Sequence, residues 1–249
     1  MLILTIKLFI LTYQKGWNFY NILKDNISNR ILYEDNHLLI INKLNNEIVQ
    51  KDDSGDDSIL EYFKQYIKEK YNKPGDVFLG LPHRLDRPVS GIVVLAKTSK
   101  ALTRLTKMFK DKEIHKIYHA IVKDKPIPEQ GEIRSYIKKN VSQNKSYTYQ
   151  KEVADSKLAI LNYKLISKSD SFYLLEIELL TGRHHQIRAQ LAEIGCTIKG
   201  DVKYGYKRPN IDKGISLHAR MITFVHPVKN EEINVIAPYP TENTWSFFR

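Results

Sequence analysis

Two short segments gather the side chains that could do chemistry. In the first, His83, Arg84, Leu85, Asp86 and Arg87, one carboxylate stands among two guanidiniums and an imidazole, just ahead of the apolar run Ile92–Ala96. An arginine near a core is costly unless it pairs, and a carboxylate is its natural partner. The segment reads equally as an ion pair that fastens a loop to a sheet, or as a carboxylate kept ionised by cations and so available as a nucleophile or base. In the second, Arg183, His184, His185, Gln186, Ile187 and Arg188 follow Thr181 and Gly182 at the start of a helix. Donors crowded at a helix N-terminus suit phosphate; an ordinary capped helix with a basic first turn has the same residues.

Other chemistries fall away. Ser90 and Gly91 lack the preceding glycine of a serine nucleophile elbow. Cys196 is the one cysteine, beside Ile194 and Ile198, and reads as a packed thiol. A single cysteine excludes an intramolecular disulfide and multi-cysteine metal sites, and suits a reducing cytoplasm. There is no phosphate loop, paired-glycine nucleotide fingerprint or H-E-x-x-H helix. On a helix, the adjacent His184 and His185 would point about 100° apart and could not share a metal. Asp52, Asp53, Asp56 and Asp57 lack calcium-loop spacing and read as a solvated start to the next helix.

The elements that must position these groups follow from periodicity. Residues 1–29 read as an extension without a fold of its own. Its apolar stretch Met1–Thr12 is broken by Lys7, is too short to span a bilayer and lacks a signal-peptide layout; it reads as a buried strand. Ile31–Asn42 predicts two strands about a turn at Asp35 and Asn36, and Ser58–Tyr71 a helix. Ile92–Ala96 is short and β-branched, hence a strand buried on both faces. Thr98 or Ser99 caps a helix to Lys110. Ile114–Val122 is a strand placing Lys116, Tyr118, Ala120 and Val122 on one face. A lysine-rich hairpin or loop at Lys138–Lys151, strands Leu158–Ser167 and Phe172–Leu180, and a helix His184–Ile194 ended by Gly195 come next. Ser216–Val225 and Glu232–Ala237 close the chain as a hairpin. This order predicts an α+β fold, a mostly antiparallel mixed β-sheet with flanking helices, as one domain over residues 30–249.

The 249 residues are 42% hydrophobic and 27% charged, which excludes disorder as the main state. Thirty-nine Lys and Arg against 28 Asp and Glu leave a charge of +11. Residues 83–125 carry +7 and residues 183–220 carry +5, so the excess sits around the two motifs. Such a surface fits a polyanion such as RNA, although lysine-rich composition alone also raises the total.

Taken together, the motifs resemble the RluA family of RNA pseudouridine synthases. The likeness runs from His83, Arg84, Leu85 and Asp86 with Ser90 and Gly91, through Lys116, Tyr118, Ala120 and Val122. It continues with Thr181, Gly182, Arg183, His185, Gln186, Ile187 and Arg188, then Gly200 and Asp201. Leu217, His218 and Ala219, Phe224, His226 and Pro227, and Ala237 and Pro238 complete it. The resemblance implies a pseudouridine synthase fold with its cleft across the sheet, and an isomerase acting on selected uridines of structured RNA, ribosomal or transfer. It implies no cofactor and no metal, no membrane and no obligate protein partner, and a cytoplasmic enzyme that is by default a monomer. No separate basic RNA-binding module stands ahead of the catalytic part, as in the compact members.

By the same resemblance Asp86 is the nucleophile, attacking ribose C1′ or ring C6. Arg188 is its ion-pair partner. Tyr118 stacks on the base and is a candidate to take the C5 proton, and Leu217 packs beneath that ring. His83, Arg84, Arg87, Lys116, Arg183, His185 and Gln186 are implied to bind substrate, although Arg84 or Arg87 could equally be structural pairs. Val89 replaces the usual threonine, Ala189 and Gln190 the usual valine and histidine, and Leu44 the usual proline; none removes a catalytic residue. An RNA-binding factor without chemistry would have no need of the intact Asp86, Tyr118 and Arg188 set, and missing metal carboxylates argue against a metal-dependent glycosylase or nuclease using Asp86.

Overall fold

The computed structural model describes residues 27–51, 56–241 and 243–248. The apolar stretch Met1–Thr12 and the acidic Asp52 and Asp53 lie outside them. Strands β1 (Ile31–Glu34), β2 (Leu38–Lys43) and β3 (Ser90–Ala96) pair antiparallel in that order. The turn at Asp35 forms because its Oδ1 accepts the N–H groups of His37 and Leu38, at 2.8 and 2.7 Å. Every residue of β3 is buried, as an uninterrupted apolar run requires of a strand covered on both faces. Helices α1 (Ile59–Lys70), capped by Ser58, and α2 (Ser99–Asp111), capped by Thr98, add Phe63, Ile67, Ala101 and Leu105 to the core.

A second antiparallel stretch is built from β4 (His115–Val122), β5 (Gln130–Asn140), β6 (Lys145–Tyr149), β7 (Lys157–Lys168), β8 (Tyr173–Leu179), β9 (Leu217–Val225) and β10 (Glu232–Ile236). Its spatial order is β9-β4-β8-β7-β5-β6, with β10 on β9. The basic segment at 138–151 is thus the β5–β6 hairpin. β5 starts earlier than the apolar pattern signals, because buried Ile133, Ser135 and Ile137 alternate with exposed or half-buried neighbours and offer only two buried apolar residues. A short helix α4 (Asn243–Ser246) follows the final hairpin and buries Trp245.

The two stretches meet where β3 runs parallel to β9, through Ser90 opposite His218 and Gly91 opposite Ala219. Gly91 has φ +110°, and a Cβ there would fall 2.3 Å from the Ala219 carbonyl oxygen, so only glycine permits the approach. The β4–β9 register then skips Arg220, a bulge that sets Tyr118 opposite Ala219 and Ala120 opposite Leu217. Tyr118 and Leu217 therefore share a face. The mixed, mostly antiparallel sheet with few helices is the α+β arrangement expected from the sequence. No helix among the described residues is long and apolar enough to cross a membrane.

Candidate active site

A cavity of about 570 Å³ opens at the seam between the two stretches. The loop ahead of β3, the end of α2, β4, the segment after β8 and Leu217 line it. Arg84, Lys110, Lys112, Lys116, Arg183 and Arg188 face this cavity against a single carboxylate, Asp86. Such a ratio makes an anion trap around one anionic side chain.

The loop bearing Asp86 is tied from behind. Lys43, fully buried at the end of β2, donates from Nζ to the carbonyls of Arg87 and Leu44 at 3.0 and 2.9 Å. Burial pulls its ammonium down to about 7 against the opposing pull of Glu47 and Asp86. The N–H of Ile215 closes on Pro88 O at 2.9 Å, and that of Val89 on Asp86 O at 3.0 Å. Asp86 itself keeps 30% of its side chain exposed.

Both close partners of this carboxylate approach Oδ2. Arg188 Nη1 donates to it at 3.2 Å, and His185 Nε2 lies 3.4 Å away. Arg188 belongs to α3 (Gln186–Glu193), is 5% exposed, and also donates from Nε and Nη2 to Asp201 Oδ2 and Oδ1 at 2.7 and 2.8 Å. Burial opposes its charge, but Asp201 and then Asp86 outweigh that and hold the guanidinium protonated. Its carbon sits 5.0 Å over the ring of Tyr204.

The helix begins two residues later than the sequence suggests. His185 takes a left-handed backbone, φ 53°, at the N-cap position, so it and His184 precede α3. Their rings do not splay by a helical step but stack, 3.8 Å between centroids. His184 bonds Ser146 Oγ at 2.8 Å and Asn144 Oδ1 at 3.2 Å, and His185 Nδ1 bonds the Tyr204 hydroxyl at 3.0 Å. Burial, with the Arg188 cation, pushes His185 down to about 2, so the ring is neutral. The same Tyr204 hydroxyl accepts the Ser146 N–H at 2.8 Å and donates to Ser146 O at 3.2 Å. Among the described residues no three His, Cys, Asp or Glu side chains are grouped to hold a metal ion.

The other predicted residues divide by what they touch. Gln186 shapes the turn, accepting from Thr181 Oγ1 and Arg183 N and donating to Ile160 O. Arg183 spends Nε on Leu158 O at 2.9 Å while lining the cavity. His83 accepts the Val94 N–H at 2.9 Å and stacks on Phe109; burial brings it to about 3, hence neutral. Burial and the Asp86 charge push the Tyr118 phenol well up, so it too is neutral. Lys116 and Leu217 line the same wall, and Arg84 is exposed at the mouth. Arg87 alone among the predicted residues does not line the cavity: it turns away to Asp56, at 2.6 Å. Cys196 is buried, its thiol pushed up by burial to about 11, as a packed cysteine should be.

Four neighbours of the site escaped sequence reasoning: Asp201, Tyr204, Lys110 and Lys112. Asp201 lay within the matched pattern, yet nothing in linear order ties it to Arg188. The lysines were visible only as part of the +7 window.

The family described as RNA pseudouridylate synthase matches residues 37–193. Ribosomal large subunit pseudouridine synthase C of Rickettsia bellii is 35% identical over 218 residues, 85% of this chain and 68% of that protein. An uncharacterized RNA pseudouridine synthase of Bacillus subtilis is 32% identical over 216 residues, 85% of this chain and 69% of its own. The solved structure of human RNA pseudouridylate synthase domain containing 4 has the same fold, with TM-score 0.74 and 24% identity over 92% of this chain and 94% of that one. With a family match over more than half its length, seated on this fold and enclosing this cavity, the chain belongs to the RNA pseudouridylate synthases and is an isomerase.

Proposed function

We propose that the protein converts specific uridines of structured RNA, ribosomal RNA in the first place, to pseudouridine, with Asp86 as the attacking group. The observation that carries this is Asp86 itself: one carboxylate among six cations, its two close partners both on Oδ2, leaving Oδ1 to attack. The name of the Rickettsia relative, a ribosomal large subunit enzyme, supports the choice of RNA.

The target base swings out of its stack into the cavity, where Tyr118 stacks on it and Leu217 supports it from the same face. Arg84, Arg183, Lys110, Lys112 and Lys116 hold the flanking phosphates. Asp86 attacks C1′ or C6 and forms a bond to it, the C1′–N1 bond breaks, the ring turns, C1′ bonds to C5, and the bond to Asp86 is released to return the free carboxylate. The C5 proton leaves and N1 gains one, so atoms and electrons balance without an external reactant. Because the Tyr118 phenol is neutral, it takes the C5 proton only by giving up its own in the same step. Residues 30–249 form the catalytic unit, working as a monomer on RNA in the cytoplasm.

The test is Asp86→Asn on unmodified ribosomal RNA. Pseudouridine formation should fall at least about 10³-fold, while RNA affinity stays within a few-fold. Undiminished product from the variant would overturn the mechanism, and a wild-type enzyme that modifies transfer RNA alone would overturn the substrate.

A further inference from the structure

The geometry points to Asp201 as a positioning residue that confines Arg188 to a single contact with the attacking carboxylate; this rests on the reading of Asp86 as nucleophile. A guanidinium facing one carboxylate prefers to grip both of its oxygens. Here Nε and Nη2 are taken by Asp201, at 2.7 and 2.8 Å, and this side-on grip fixes the plane of the group. In that plane only Nη1 reaches Asp86, and only at Oδ2. Asp201 is 1% exposed, so water does not compete for the grip.

Asp201 is itself rigidly set. Its N–H donates to Ile198 O at 3.0 Å, and its carbonyl accepts the N–H groups of Tyr204 and Tyr206, at 3.0 and 3.1 Å. The preceding Gly200 has φ +86°, and a Cβ there would meet Asn210 at 2.6 Å. The tight turn Val202–Tyr204 then brings the Tyr204 ring beneath Arg188 and its hydroxyl to His185. One turn therefore orients both groups that touch Oδ2. With Asp201 absent, Arg188 is free to swing and take both oxygens of its one remaining carboxylate, including the one that must attack.

The test compares Asp201→Asn and Asp201→Glu with wild type in steady-state turnover and RNA affinity. Asp201→Asn should lower kcat about 10²-fold, the scale of a misplaced reacting group, with RNA affinity within threefold; Asp201→Glu, which keeps the charge but displaces the carboxylate by one methylene, should recover part but not all of that loss. Because Asp201 acts through Arg188, adding Asp201→Asn to Arg188→Lys should cost little more than Arg188→Lys alone. If Asp201→Asn does not fold, Asp201→Glu decides: kcat reduced with affinity intact supports the role. Wild-type kcat in either folded variant, parallel loss of kcat and affinity, or full additivity with Arg188→Lys would overturn it. An active Asp86→Asn would instead bring down the reading of Asp86, whatever Asp201 does.

Discussion

The loop at 83–87 and the segment at 183–188 look alike as sequence and behave differently as structure. The loop sends its polar side chains in four directions: His83 back to the β3 backbone, Arg84 to the mouth, Asp86 into the cavity and Arg87 away to Asp56. The later segment turns inward, with His185, Gln186 and Arg188 all buried and every one engaged by neighbours. One region presents charge to the cavity and its mouth, and the other holds charge still. The difference teaches that an arginine's role follows from its burial and the number of its carboxylates, neither of which residue type records.

The contrast can be broken first at Arg188. Arg188→Ala leaves Asp201 buried and unpaired, so it should cost about 3–5 kcal/mol in urea unfolding as well as turnover; a mild loss would mean that the inward segment is no stiffer than the loop. Arg84→Ala should leave stability unchanged, weaken RNA binding several-fold and reduce the salt slope of binding by about one. An unaltered slope would show that the mouth does not hold phosphate.

Next comes the tether behind the loop. In the unfolded chain Lys43 titrates near 10.5 and in the folded protein near 7. Between those values the unfolded chain binds the extra proton, so the position's contribution to stability rises from pH 7 toward 10.5 and is smallest below 7. The slope should approach about 1.4 kcal/mol per pH unit at most. Urea unfolding at pH 7, 8 and 9 checks it, and Lys43→Met should abolish the pH 7–9 rise. Smallest of all, Arg87→Ala removes an exposed pair with Asp56 and should shift stability by less than about 1 kcal/mol, with turnover unaffected.

What was legible in the sequence was what depends on local pattern. The uninterrupted apolar run of β3, the cap at Thr98, and the glycine ending α3 each follow from neighbouring residues. The pairing of Asp86 with Arg188 came from resemblance rather than spacing, and the geometry places those groups together. Invisible were features set by distant contacts. The first half of β5 is held as a strand by pairing with β7 rather than by its own apolar residues. The left-handed His185 has no signature, since histidine carries no preference strong enough to announce it. Arg87 and Arg84 differ only in which way the loop turns them. Asp201 reaches Arg188 because a turn after Gly200 folds back on α3, which no periodicity foretells.

The short parallel junction of β3 and β9 has a consequence for how the enzyme comes into being. Asp86 belongs to the first-made stretch of sheet, while Tyr118, Arg188 and Asp201 belong to the later one. As the chain leaves the ribosome, the loop around Asp86 can settle on β3 long before its counter-ion has been synthesised. Competence therefore arrives late and all at once, when β9 docks beside Gly91. A nascent chain stalled before residue 183 would carry the carboxylate without the cation that holds it in place.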